Sequence, residues 1–323
     1  MGVVTDKRIF ITGGAGFIGA AVTKKLFNKN KILIYDNYRR DSLQFFIKNK
    51  PANIQIIEGD ILNTELLKGA IEIFKPDYVL HLAAMAGVSD YYKQPVKTME
   101  INAIGTYSVL EAVKEIPLER FVYFSTSEVY GPLVYGAKED GNTAQGDIKQ
   151  VRWTYGISKL AGEGLSFSYA QQYKIPTSSI RPFNIYGPGQ VGEGGVQIFI
   201  TKAINDETIH VTGNGNQIRA WCYIDDLVLG LEAILTSKEA VGEIFNIGNP
   251  AGTITILNLA QTIIRLSGSK SKIEFIPHPG VDIDLRVPNI GKASKILKFT
   301  PGIDLEEGLK RSIEWYKKNP LIQ

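Results

Sequence analysis

The sequence has little of several residue types on which large protein classes depend. One cysteine, Cys222, in 323 residues excludes an internal disulfide. No apolar run approaches the roughly 20 residues of a membrane span, so no membrane partner is expected. Neither sign of charge prevails: 36 basic residues face 33 acidic ones, the net charge is +3 and the pI is near 8.6. The lysines are scattered as on solvated helix faces, which argues against nucleic acid as a partner. The slight positive bias suits a substrate that carries phosphate. Internal repeats and low-complexity tracts are absent. The first residues run almost at once into an apolar strand and leave no room for a signal peptide, which with the lone cysteine points to the cytoplasm. The 44% of hydrophobic residues is ample for a large core in one domain or two closely joined ones.

What is present begins with Phe10-Ile11-Thr12-Gly13-Gly14-Ala15-Gly16-Phe17-Ile18-Gly19. An apolar strand meets glycines spaced three apart (Gly13, Gly16, Gly19), and a helical pattern follows. In a dinucleotide site the first glycine allows the sharp turn, the second lets backbone N–H groups reach a pyrophosphate, and the third lets the helix pack on the strand. The helix start adds unpaired N–H groups and a positive dipole. Phe17 and Ile18 open that helix beside the cofactor. A second strand, Ile32 to Tyr35, ends in Asp36-Asn37. A carboxylate there accepts bonds from the adenosine ribose and disfavours a 2′-phosphate, which selects NAD over NADP; Arg39 and Arg40, close behind, pull the other way. A third strand, Ile54 to Ile57, leads to Gly59-Asp60-Ile61, where Asp60 can face adenine.

From residue 8 to about 181 strand and helix alternate, which predicts an α/β fold: a Rossmann-like, doubly wound parallel sheet. Further strands are expected at Asp77 to Leu82, Arg120 to Phe124 and Thr177 to Ile180. Helices are expected at Lys93 to Glu115 and Tyr155 to Tyr173, and a long loop over 131–152. Past Arg181 the rhythm breaks into short mixed pieces, among them Ile244 to Ile247 and Leu305 to Tyr316. Residues 1–181 read as an NAD-binding domain and 182–323 as a smaller C-terminal substrate-binding lobe, with elements crossing between them.

Three strand ends carry chemistry, because ligands of doubly wound sheets lie at the carboxyl ends of strands. In His81-Leu82-Ala83-Ala84 the small residues let a flat cofactor lie against the backbone, and His81, which could serve as a ligand or base, reads sooner as a packed structural histidine. In Ser125-Thr126-Ser127-Glu128-Val129-Tyr130-Gly131 hydroxyls and a carboxylate crowd one strand end. Thr126 can bond a substrate hydroxyl and Glu128 can move a proton if partly desolvated; turn and capping chemistry accounts for the same residues equally well. Tyr155 and Lys159 share a helix face, where an ammonium beside a phenol would lower its pKa from about 10. No metal site is read in the chain.

These pieces, with Arg181-Pro182-Phe183-Asn184-Ile185-Tyr186-Gly187-Pro188 and Arg219-Ala220-Trp221-Cys222-Tyr223-Ile224-Asp225-Asp226, resemble the extended short-chain dehydrogenase/reductase superfamily, and more narrowly its NAD-dependent epimerases and dehydratases of nucleotide sugars. The resemblance covers nearly the whole chain. It implies NAD held by Gly13, Gly16, Phe17, Ile18, Asp36, Asn37, Asp60, Ile61, Leu82, Ala83, Ala84, Tyr155 and Lys159. It implies Tyr155 as catalytic base, Lys159 as the group that acidifies it and holds the nicotinamide ribose, and Thr126 at the sugar C4 hydroxyl. A nucleotide-diphospho-sugar would meet Ser127, Asn184, Arg219 and Arg286, with Asn102 near the active site. The helices at 93–115 and 155–173 would pair two copies into a homodimer.

The family's shared first step moves a hydride from sugar C4 to NAD and leaves a 4-keto sugar. Glu128 leans the reading to a lyase, either a decarboxylase or a 4,6-dehydratase, since simple epimerases tend to carry a small or hydroxylic residue there. Ser127, where one dehydratase branch has an acid, departs from that branch, while the Thr-Ser-Glu pattern is similar to that of the GDP-mannose type. The alternative is a nucleotide-sugar 4-epimerase on a hexose or hexuronate. A non-catalytic NAD-binding sensor is the third reading, and the intact Tyr155 and Lys159 pair argues against it.

Overall fold

A computed structural model describes residues 2–47, 51–277 and 280–319. In chain order the strands are β1 (Arg8–Thr12), β2 (Lys31–Asp36), β3 (Ile54–Glu58), β4 (Tyr78–His81), β5 (Arg120–Phe124), β6 (Leu133–Ala137), β7 (Thr177–Pro182), β8 (Ile185–Tyr186), β9 (Ile209–Thr212), β10 (Ile218–Ala220), β11 (Cys222–Tyr223), β12 (Ile244–Ile247), β13 (Thr253–Thr255), β14 (Ile273–Ile276) and β15 (Leu285–Pro288). The helices are α1 (Phe17–Leu26), α2 (Thr64–Phe74), α3 (Val88–Lys93), α4 (Pro95–Met99), α5 (Gly105–Val113), α6 (Thr154–Tyr173), α7 (Gly195–Ile204), α8 (Ile224–Thr236), α9 (Ile256–Ser267), α10 (Gly291–Leu297) and α11 (Leu305–Lys318).

Seven strands form one parallel sheet in the order β12-β7-β5-β4-β1-β2-β3. Ile9, Phe10 and Ile11 are fully buried, as are Val79, Leu80, Phe121 and Val122. Continuous apolar runs of this kind belong to parallel strands covered on both faces. One face packs α2, α5 and α6 through Leu67, Ile71, Val109, Leu110 and Tyr169; the other packs α1 and α8 through Val22, Leu26, Leu227 and Leu231. After β1 the chain moves to β2 and β3, and after β4 to β5 and β7. The β1–β4 gap is therefore the point where strand order reverses, and a ligand crevice belongs there.

A second sheet, β13-β10-β15-β6, and two-stranded pairs β8–β11 and β9–β14 lie outside the central sheet, and helices α7, α9 and α11 continue the core under α8 through Phe199, Leu259, Leu309 and Ile313. Three expectations are refined. Residues 131–152 are not all loop: β6 lies within them and pairs with β15, about 150 residues later in the chain. Its Leu-Val-Tyr alternation is hidden between Gly131-Pro132 and Gly136, and its partner is distant. The helix expected at 93–115 is a run in which α4, a π-helical turn (Glu100–Ile104) and α5 follow one another, and a short unexpected helix, α3, precedes it. Pro95 starts that run at a position where its missing N–H costs nothing. Finally, β12 completes the central sheet beside β7 although it lies late in the chain.

Candidate active site

The carboxyl ends of the central strands open on one cleft of about 440 Å³, a volume suited to a small-molecule ligand. Gly13, Gly16, Phe17 and Ile18 line it at the reversal point with Leu82, Ala83 and Ala84. Asp36, Asn37, Asp60 and Ile61 line it on the β2–β3 side. Thr126, Ser127, Glu128, Tyr155, Lys159, Asn184 and Arg286 line it on the β5–β7 side. Of the sequence-predicted site residues Arg219 is absent from the wall. Asn102 is also off the wall, and serves as a brace.

The turn after β1 is built for close approach. Gly13 has a left-handed φ of +71°, and a Cβ on it would come within 2.5 Å of the Ala83 nitrogen. A Cβ on Gly19 would fall 2.4 Å from the Gly13 oxygen, so the third glycine lets α1 sit on the turn. Gly16 caps α1 with no side-chain hydrogen bond, which leaves N–H groups of the first turn aimed at the cleft. Asp36 is buried at the end of β2. Its carboxylate accepts from Ala15 N at 2.9 Å and Tyr38 N at 2.8 Å, and burial raises its pKa despite those bonds. Asn37 donates to Asp60 at 3.2 Å.

His81 is the structural residue its surroundings suggested. Its ring is bonded to Thr12 at 2.7 Å and Thr106 at 3.0 Å, and complete burial lowers its pKa to about 3, so it is neutral. Asn102 pins the segment after β4 to α6: it bonds Met85 N at 2.7 Å, Met85 O at 3.1 Å and Ser158 Oγ at 2.9 Å.

Tyr155 and Lys159 face the cleft from α6. Lys159 is 2% exposed and its ammonium lies 4.3 Å from the centre of the Tyr123 ring; burial lowers its pKa to about 7. Thr126 lines the cleft with Tyr155, where its hydroxyl opposes the rise in the phenol's pKa, and it accepts from Glu128 N at 3.2 Å, so the hydroxyl both caps the turn and serves the site. Burial first, and the Glu128 charge second, push the phenol above its ordinary value. The acidification expected from Lys159 is therefore not achieved by this chain's groups alone.

Glu128 has the most distinctive surroundings. Arg152 grips it with both terminal nitrogens, at 2.6 and 3.0 Å, and Arg286 reaches it at 3.3 Å. Burial would push the carboxyl up, but the two guanidiniums outweigh it and hold Glu128 below the usual carboxylate range. Arg286 also donates to Gly131 O at 2.9 Å, which places it at the carboxylate end of the cleft. Arg219, on β10, is paired with Asp282 at 3.5 Å; burial and then the Arg286 charge lower its pKa to about 10. Two guanidiniums thus hold Glu128, and the charge of a third, Arg219, is felt near them. Asn184 has a φ of +44° and donates to Ala220 O at 2.9 Å, fastening β10 to the rim.

Sequence reasoning missed two residues here. Arg152 sits one helical turn before Tyr155 in a stretch read as loop. Tyr91 stacks on Tyr155 with ring centres 6.3 Å apart and carries the Arg152 guanidinium over its face at 5.5 Å. The available signal was a cation three residues ahead of the Tyr–Lys pair, on the side of the helix that faces Glu128. Among the described residues no group of three or more His, Cys, Asp or Glu could hold a metal ion, and no helix is long and apolar enough to cross a membrane.

Comparison with known proteins agrees with this geometry. Residues 9–248 match the sequence profile of the NAD dependent epimerase/dehydratase family. The chain is 33% identical over 322 residues to a UDP-N-acetyl-alpha-D-glucosaminuronate decarboxylase of Bacillus cytotoxicus, covering 97% of this chain and 98% of that protein. It is 34% identical over 321 residues to UDP-glucuronic acid decarboxylase 1 of Danio rerio, covering 97% and 73%. The crystal structure of a UDP-glucuronic acid 4-epimerase from Bacillus cereus, in complex with UDP-glucuronic acid and NAD, superposes with a TM-score of 0.88 at 29% identity, covering 96% of this chain and 99% of that one.

Proposed function

The chain belongs to the NAD-dependent epimerase/dehydratase family, and on that footing we propose that it decarboxylates a nucleotide-diphospho-hexuronate through a 4-keto intermediate. It is an NAD-dependent nucleotide-sugar enzyme. The cleft fits NAD: a side-chain-free turn, free N–H groups at the start of α1, the buried Asp36 carboxylate and the Tyr155–Lys159 pair are the donor set such a molecule needs. NAD bound there would supply the hydride acceptor for C4 of the sugar and, once reduced, the donor for the return. Tyr155 takes the C4 hydroxyl proton as that hydride leaves, Thr126 holds the same oxygen, and Lys159 holds the ribose.

The resulting C4 ketone is β to the C6 carboxylate. Carbon dioxide then leaves, the C5–C6 electron pair passes into a C4–C5 enolate, and the phenol and the Thr126 hydroxyl stabilise its oxygen. A proton adds to C5, the ketone is restored, and hydride return gives the pentose. The net change is uptake of one proton and loss of carbon dioxide.

The observation that carries this reading is Glu128 clamped as an anion between Arg152 and Arg286. A dehydratase needs a free base at C5 and an acid at C6, and here the base is held below its usual range and its neighbour is Ser127. Decarboxylation needs neither. It needs a cationic place for a carboxylate, and Arg152 and Arg286 together exceed the one negative charge of Glu128 between them. Glu128 in this reading fixes the guanidiniums. Asn184 and Arg219 serve the nucleotide diphosphate.

Incubation with UDP-glucuronate and UDP-N-acetylglucosaminuronate, with UDP-, dTDP-, GDP- and CDP-hexoses alongside, tests the proposal by product mass. The expected product has lost carbon dioxide. Loss of water from a hexose, or an isomer of unchanged mass, would establish the dehydratase or the 4-epimerase instead.

The same reading includes a division into a cofactor part (1–181) and a substrate lobe (182–323), a homodimer and a cytoplasmic setting. Exposed Val96, Ile104 and Tyr107 on the helices after β4, and Tyr173 at the end of α6, support the dimer.

A further inference from the structure

Arg39 and Arg40 stand three and four residues after Asp36, where a guanidinium would receive a 2′-phosphate, and both line the cofactor cleft. Each is already paired with a carboxylate. Arg39 donates to one oxygen of Asp90 and Arg40 to the other at 3.3 Å. Asp90 is 9% exposed and comes from α3, which enters the cleft from the β4 end. The backbone is shaped for this bridge: a Cβ at Gly87 would lie 2.5 Å from an Arg40 terminal nitrogen. Glu193, from the loop before α7, accepts from Ser89 N at 2.8 Å and from the Ser89 hydroxyl, which holds α3 in place from the other lobe.

We infer that Asp90 is a positioning residue for cofactor choice: by occupying both guanidiniums it keeps the β2 end from reading a 2′-phosphate, so that the preference for NAD rests on Asp90 together with Asp36. Two cations in the NADP-reading position are then compatible with an NAD enzyme. The inference rests on the cofactor and not on the fate of the sugar, so a different product in the mass assay leaves it standing.

The test is binding of NAD and NADP to the full-length protein by calorimetry. Asp90→Asn should strengthen NADP relative to NAD by about ten- to a hundredfold, the worth of one or two hydrogen bonds to a charged group. Adding Arg39→Gln and Arg40→Gln to that variant should abolish the gain. An unchanged ratio in a folded Asp90→Asn protein, or a gain that survives loss of both arginines, overturns the inference. A measurement on the natural protein decides the matter if the variant does not fold. Arginines already reading the 2′-phosphate would make NADP affinity fall more steeply with salt than NAD affinity; a steeper slope refutes the lock, whereas equal slopes or no NADP binding support it.

Discussion

Replacing Glu128 by Gln keeps the side-chain volume and removes the charge that two guanidiniums share. The side chains are 19% exposed for Glu128, 10% for Arg152 and 3% for Arg286. Breaking a fully buried pair costs about 3–5 kcal/mol. Glutamine still accepts one bond and some water reaches the site, so a loss of about 2–3 kcal/mol is expected in urea unfolding at neutral pH. The sign with pH follows from the lowered carboxyl. The natural protein has this stabilisation above the ordinary value near 4.5 and loses it as pH falls through the lower folded value, whereas the variant has none to lose. Arg152 and Arg286 would then have no carboxylate between them, while Arg219 keeps Asp282. The KM for a hexuronate should stay level or fall, while kcat drops about a hundredfold because the guanidiniums are no longer fixed. Initial rates of carbon dioxide release measure both. Natural turnover and an unchanged unfolding midpoint, or a raised KM at constant kcat, would show that the clamp is not what organises this site.

Two further outcomes are expected. Tyr155→Phe should slow hydride transfer by about a hundred- to ten-thousandfold, and turnover within a few-fold of natural would remove the phenol from the proton path. Lys159 has its folded pKa lowered to about 7 from 10.5, so the unfolded chain holds the extra proton between those values. Stability should therefore rise with pH across that window, and Lys159→Met should flatten the slope; a slope of the same size in both proteins refutes the burial argument.

Much of this fold was legible because its signals are local. The glycine turn, the apolar runs of β1 to β5 and the Tyr155–Lys159 spacing each lie within a few residues. What was not legible depends on distant partners. β6 forms because β15 accepts it, and Arg152 acquires its role only because Glu128, 24 residues earlier, is brought under it. The phenol's environment was misjudged for a similar reason: residue types near Tyr155 suggested acidification, but burial and the Glu128 anion, both tertiary, act in the opposite direction. Arg286 was legible as a contact residue, whereas its place beside Glu128 was not.

The position of β12 has a consequence for how the molecule is made. Ile244–Ile247 covers an edge of β7 that would otherwise be bare, and the Arg120 guanidinium beneath it bonds the Ile234 and Ser237 carbonyls from the end of α8. A nascent chain leaving the ribosome can assemble the cofactor cleft early, but its sheet keeps a sticky border until residue 247 has emerged. Cutting the gene after codon 181 would make that temporary state permanent, and the amino-terminal fragment should aggregate unless the other half is supplied in trans.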